Sequence, residues 1–161
     1  MISILKIVDS GTGLVQPSMV SNAHHLLACV LRVANLVEQR LEHALEPTGL
    51  SLAKLGALRH LAEAQEPLAL GQLAERIACV KSNVTQLVDR LEAEGLVKRV
   101  PDPDDRRSVR AALTDLGMAR YRAGEAAVIA AEAALVDELD PPDRDLLFRL
   151  LGQLTPAEAG N

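Results

Sequence analysis

Two stretches of this chain gather hydrogen-bonding and cationic side chains at spacings that could serve recognition. In the first, Lys81, Ser82, Asn83, Thr85 and Gln86 crowd together, with Arg90 one turn beyond Gln86, while Val84, Leu87, Val88 and Leu91 recur among them at steps of three and four. That period sets the apolar residues on one helix face and the polar ones opposite. Taken alone, such a polar face is most often simply solvated. In the second, Asp105, Arg106 and Arg107 end the run that starts Pro101, Asp102, Pro103, Asp104. A carboxylate beside a planar guanidinium can hold its orientation. As a surface ion pair it is worth only ~0 to 1 kcal/mol, a poor reason for two adjacent arginines.

The remaining reactive side chains are scattered. His24 and His25 are neighbours, so on a helix they point about 100° apart, and with His43 and His60 they could meet only through tertiary folding. No metal site is expected from them, and no cofactor. Cys29 and Cys79 lack metal-ligand spacing and suit a reduced protein, as packing side chains in helical segments. Arg32 and Arg59 stand out as cations without evident partners on otherwise apolar helices, although a snorkelling surface side chain looks the same. There is no glycine-rich phosphate loop, nucleophile elbow or His-Glu-x-x-His motif, so an enzyme is not expected.

What must position these groups is mostly helix. The chain has 161 residues, 48% apolar and 24% charged, enough for one compact unit or two small subdomains burying roughly 68% of the unfolded surface. One Tyr, one Phe and no Trp leave packing to Leu, Ala, Val and Ile, which favours helices over strands. Leu26, Val30, Val33, Val37, Leu41 and Ala44 or Leu45 draw a stripe along a helix from Ser21 to Glu46, ended by Pro47 and Gly49. Ser51 can cap a second helix to about Ala64. A short run Leu68 to Leu70, a helix with Leu73 and Ile77, and the helix after Val80, closing at Gly95, make a helix-turn-helix outline. Leu96 to Val100 and Ser108 to Leu113 alternate in period two around the charged run, which predicts a β-hairpin. Thr114 can cap a long helix to about Leu139, and a last helix carries Leu146, Leu147, Leu150, Leu151 and Leu154, a face that wants a partner.

This order, together with Leu73, Ala74, Glu75, Arg76, Val84, Thr85, Leu87 to Glu92, Gly95 to Val97, Arg99, Asp102, Pro103, Asp105, Arg107, Leu113, Thr114 and Gly117, resembles the MarR family of bacterial transcription regulators. The resemblance spans about residues 21 to 155 and is strongest over 68 to 117. It implies a mainly α (α+β) fold: a winged helix-turn-helix with N- and C-terminal dimerisation helices. The expected divisions are an arm over 1–18, a dimerisation helix over 19–48, the DNA-binding domain over 49–114 and dimerisation helices over 115–161. It further implies a homodimer on a pseudopalindromic site in double-stranded DNA, with half-sites about 10 bp apart. Lys81, Ser82, Asn83, Thr85, Gln86 and Arg90 are then the recognition-helix candidates. Asn83 and Gln86 suit adenine, while Lys81 and Ser82 suit bases or phosphates. In the wing, Arg107 is expected in the minor groove, Arg106 on the backbone, and Asp105 as the orienting carboxylate. Ala78 and Val80 replace the family's usual turn Gly and capping Ser, and Val has no oxygen with which to cap.

The resemblance also implies a small-molecule effector, often an aromatic anion, that releases a repressor; Arg32 and Arg59 are the candidate pocket residues. Two other readings stand beside it: a winged-helix protein-interaction module without specific DNA binding, and a thiol-based redox sensor acting through Cys29. Net charge is −5, yet residues 71–114 carry eight basic against seven acidic side chains, while 115–161 carry four against nine. The acidity lies in the last helices, and the near-neutral reading head predicts modest nonspecific affinity with a shallow salt dependence. No stretch approaches the ~18 apolar residues of a membrane span, and Met1 to Val8 lacks a signal-peptide pattern, so a cytoplasmic location is expected.

Overall fold

The computed structural model describes residues 17–77, 81–103 and 108–154. Helix α1 (Pro17–Leu45) begins four residues before the expected Ser21, so Pro17 and Ser18, assigned above to an arm, already belong to a helix. Proline is at home in a first turn, where its missing N–H has no intrahelical acceptor to lose. Residues 1–16 lie outside the described residues. A 3-10 turn over Glu46–Thr48 follows, with Gly49 in the left-handed region at φ +70. Helix α2 (Leu52–Ala64) starts as its sequence predicts: Ser51 Oγ accepts from the Lys54 N–H at 3.3 Å.

Strand β1 (Leu68–Ala69) leads directly into α3 (Leu70–Arg76), where Gln72 Oε1 takes the Ala69 N–H at 3.1 Å. Next come α4 (Lys81–Ala93), β2 (Val97–Pro101) and β3 (Val109–Leu113). The hairpin is antiparallel, with Val97 opposite Leu113 and Pro101 opposite Val109, and β1 adds to the other edge of β3. Helix α5 (Asp115–Val136) is capped by Thr114 Oγ1, which accepts from the Gly117 N–H at 2.9 Å; it stops three residues short of the expected Leu139. Helix α6 (Pro141–Leu154) closes the described chain. Mainly helical, with one small three-stranded antiparallel sheet, this is a winged helix-turn-helix with further helices before and after it in the sequence.

The chain divides between Val37 and Glu38 into two compact units. The first is the leading part of α1, on which Leu26, Leu27, Val30, Leu31 and Val33 are exposed. The second holds the core, and its fully enclosed large side chains are Leu45, Leu58, Leu73, Leu91, Val84, Val88 and Val97. The core is aliphatic: Tyr121 packs only at its edge, and Phe148 is 82% exposed.

One junction ties the elements of the second unit together. Gly95 ends α4 at φ +71, its N–H bonded to Glu92 O at 2.9 Å, while the Leu96 N–H reaches Leu91 O at 2.9 Å. This pair of bonds is a Schellman motif, and it satisfies carbonyls that a helix end otherwise leaves open. The Leu96 carbonyl in turn accepts from the Thr114 N–H at 3.1 Å and from Thr114 Oγ1 at 3.0 Å. Gly117 lies against that same carbonyl so closely that a Cβ would sit 2.0 Å from the oxygen. Gly117→Ala therefore has to push α5 off the wing and is expected to cost about 3 kcal/mol or more. Gly56→Ala, where a Cβ meets nothing within 4 Å, should gain about 0.5–1 kcal/mol from helix propensity. Urea unfolding of the two variants checks this, and a Gly117→Ala protein as stable as the parent would contradict the close approach.

Candidate nucleic-acid interface

Helix α4 sorts its residues as the period requires. Val84, Val88 and Leu91 are buried, and Asn83, Thr85, Gln86 and Arg90 are exposed. Asn83, Gln86 and Arg90 follow one another at three and four, so they form a single row along the helix. A hollow of about 300 Å³ runs beside that row, walled on the other side by Ala53 of α2. Lys81 and Ser82 are the first residues of α4, but their side chains lie outside the described residues, as do residues Ala78, Cys79 and Val80 before them.

The helix is fastened to the wing by a cation that the sequence reading passed over. Arg99, on β2, reaches back to α4 and bonds Asp89 at 2.5 Å and the Glu92 carboxylate beside it, while its own backbone N–H donates to Glu92 Oε1 at 3.0 Å. Asp89 and Glu92 are three residues apart, so they stand on one face, within the span of one guanidinium fork. The hydrogen bond that Arg99 donates to Asp89 raises its pKa above the ordinary value; partial burial opposes this and Glu92 adds to it. Consequently two carboxylates on α4 are already neutralised from within the protein. At the C-terminal end of α4, Lys54 Nζ of α2 holds Glu94 at 2.6 Å.

At the base of the hairpin, Asp102 is 9% exposed and takes two bonds from Arg110, at 2.8 Å from Nε and 3.1 Å from Nη2. The Asp102 N–H also crosses to Ser108 O at 3.1 Å. A bidentate Arg–carboxylate pair is geometrically stiff, and here it squares the two strands where the tip begins. The tip itself, with Asp105, Arg106 and Arg107, lies outside the described residues. Only the hairpin register puts Asp102 beside Arg110, and that register depends on how many residues the tip consumes.

The expected effector residues fare differently. Arg32 is exposed on the leading part of α1. Arg59, expected to lack a partner, instead has Glu125 of α5 at 3.4 Å from its Nε. Tyr121 shares this cluster: burial raises its phenol pKa above the usual value, a hydrogen bond with Glu125 raises it further, and Arg59 pulls the other way. Cys29 is half-buried with its Sγ 3.8 Å from His25 Nε2, one turn earlier. His43 and His60 face Glu46 and Glu63 at 3.3 and 3.4 Å. Among the described residues no three His, Cys, Asp or Glu side chains are grouped to hold a metal ion, and no helix is long and apolar enough to cross a membrane.

Known proteins share this arrangement. A sequence profile described as MarR family matches residues 48–108. The HTH-type transcriptional repressor Rv2887 of Mycobacterium tuberculosis is 30% identical over 123 residues, covering 76% of this chain and 88% of that protein. The HTH-type transcriptional regulator YkoM of Bacillus subtilis is 40% identical over 76 residues, 47% of this chain and 46% of its own length. Among solved structures, CouR from Rhodococcus jostii RHA1 bound to p-coumaroyl-CoA superposes with a TM-score of 0.63 at 28% identity, over 81% of this chain and 93% of that one. These relatives are named as regulators and repressors rather than enzymes. With a helix-turn-helix, a wing, and a repressor of nearly the same span among its relatives, the chain belongs to the MarR family of DNA-binding transcriptional regulators.

Proposed function

We propose that this regulator is a homodimeric repressor that reads two half-sites of a pseudopalindromic operator and is released by a small-molecule effector. The observation that carries the reading is the outward row Asn83, Gln86 and Arg90 on a helix whose other face is locked into the core, with Arg99 binding that helix to the wing. In this reading Asn83 and Gln86 contact base edges, with adenine the natural partner of an amide, and Thr85 lies beside them. Lys81 and Ser82 take bases or phosphates, Arg107 enters the minor groove, Arg106 holds the backbone, and Asp105 orients the arginines. Residues 49–114 do this work.

Dimerisation through 19–48 and 115–161 is supported by exposed apolar surface on the last helix of the second unit. Leu146, Leu147, Phe148, Leu150, Leu151 and Leu154 of α6 are all exposed. A groove of about 350 Å³ between Val136, Leu139, Leu147, Phe148 and Leu151 is similarly apolar. A patch of this kind marks an interaction surface, and burying each large side chain is worth about 1.5–3 kcal/mol. Release by an effector is supported by CouR, which was solved with p-coumaroyl-CoA. If Arg59 meets an acidic effector, the ligand competes with Glu125 for the guanidinium; Arg32 has no such rival among the described residues. The effector acts only through its different affinity for the DNA-competent and DNA-incompetent states.

Mobility shift with the DNA upstream of the chain's own coding sequence tests the reading. Arg107→Ala should weaken binding by about 1–3 kcal/mol, and unchanged binding would remove the wing contact. Arg99→Met touches no base in this reading, yet it leaves Asp89 and Glu92 uncompensated beside the phosphates. It is expected to weaken binding to all sequences alike, and adding Asp89→Asn with Glu92→Gln should restore part of the loss. Sedimentation should find a dimer at micromolar concentration, shifted to monomer by Phe148→Glu with Leu151→Glu. A well-folded monomer in the parent protein would overturn the proposal.

A further inference from the structure

Three features that play no part in reading DNA meet behind the wing. The first is a cavity of about 610 Å³ whose walls include Leu61, Gln65 and Glu66 at the end of α2, Lys98 on β2, Ala112 on β3, and Met118 on α5. Its volume falls in the range of small-molecule sites, roughly 300–1,000 Å³. Lys98 pairs with Ala112 across the hairpin, whereas the neighbouring Arg99 pairs with Ala111. Side chains alternate along a strand, so Lys98 and Ala112 point away from the face on which Arg99 grips α4. The cavity is therefore on the back of the wing sheet, distinct from the DNA-reading face and from Arg59.

The second feature is charge. Lys98 and Glu66 line the same cavity, and among the described residues neither forms an ion pair with the other or with anything else. The third is backbone conformation. Among the described residues, Gln65 is the non-glycine residue held at positive φ, +57, at the end of α2. A side chain there carries a strain that glycine would avoid, and such strain gathers at ligand-binding positions. Between the two charges the walls are aliphatic, with no aromatic ring for stacking.

We propose that this cavity binds a zwitterion whose carboxylate and ammonium are separated by an aliphatic or alicyclic frame. The carboxylate meets Lys98, the ammonium meets Glu66 with the Gln65 amide beside it, and the frame lies on Leu61, Ala112 and Met118. Lys98 and Glu66 are both exposed, so water serves each while the site is open; a ligand that covers them is best matched when it carries both opposite charges, because covering either one without a counter-charge costs desolvation. Such a ligand spans α2, the wing and the start of α5, and so fixes the hairpin relative to α2. Its regulatory consequence rests on the DNA-binding reading above; its binding does not.

The test uses the full chain and 4-(aminomethyl)cyclohexanecarboxylate as probe, with cyclohexanecarboxylate and cyclohexylmethylamine as the two half-ligands. Methyl NMR should show Ala112 and Met118 shifting with the zwitterion at sub-millimolar concentration, and with neither half-ligand. Lys98→Met and Glu66→Gln should each weaken binding about tenfold, the size expected for losing one charge-assisted hydrogen bond. Absence of these shifts up to millimolar probe, shifts located elsewhere, or an affinity unchanged from the parent in either variant would overturn the site. Operator affinity measured with and without probe then separates the two readings. By linkage, the operator must change probe affinity by the same factor as the probe changes operator affinity. A probe that binds here without changing operator affinity overturns the regulatory role, and a parent chain that binds no operator overturns the DNA reading while leaving the cavity result intact.

Discussion

The Leu96 peptide is the place on which the reading head depends. Its N–H closes the C-terminus of α4 onto Leu91, and its carbonyl receives both the backbone and the hydroxyl of Thr114. Gly117 leaves just enough room for that carbonyl to touch α5. Helix end, first wing strand and long helix are thus fixed by one residue's two polar groups, each bonded where no water need intervene. Without the left-handed turn at Gly95 the chain could not leave α4 in the direction that makes this contact. The Leu-Thr-x-x-Gly order of residues 113 to 117 accordingly has a mechanical meaning: strand end, cap, and the small residue demanded by the close approach.

A protein of net charge −5 that binds a polyanion has to control where its carboxylates face. Here much of that control is internal. Arg99 covers Asp89 and Glu92, Lys54 covers Glu94, and Arg110 covers Asp102. These acids belong to α4, the residues just past its end, and the base of the hairpin, and pairing them leaves Arg90 and the amides of Asn83 and Gln86 to set the outer surface of α4. Exposed ion pairs add little stability on their own. Their value here is orientation, since each joins two different elements, and Asp102 is buried enough for its bidentate pair to resist loosening.

Local chemistry was the legible part of the sequence. Ser51 and Thr114 as caps, Gly95 as a left-handed stop, the buried and exposed sides of α4, and the paired strands all follow from interactions within a few residues, and all stand in the structure. Pairings between distant segments were not legible. Arg59 looked unpartnered because Glu125 meets it only once α5 has packed on α2. Arg99 and Arg110 looked like ordinary strand cations because the hairpin register had to be known before their acids could be named. The early start of α1 was missed for a different reason: Pro17 marks a helix start as readily as it marks the end of an extended arm.

Helix α5 explains how an almost ring-free core stays well defined. Gly117 and Gly124 are seven residues apart, two turns, so they fall on the same face, and Val128 continues it one turn later. At Gly124 a Cβ would come within 2.9 Å of Leu50 and 3.0 Å of Leu55, with Leu45 close behind. The helix therefore presses its bare backbone against the wing junction at one point and against the leucines of α1, α2 and the connecting loop at another. Close-packed cores are bistable rather than continuously deformable. Any second position of α5 must accordingly carry Leu96 with it, and through Leu96 and Arg99 the end of α4 and the wing. A displacement of α5 is thus passed to the end of α4 and to the wing through the Leu96 carbonyl and the Arg99 guanidinium.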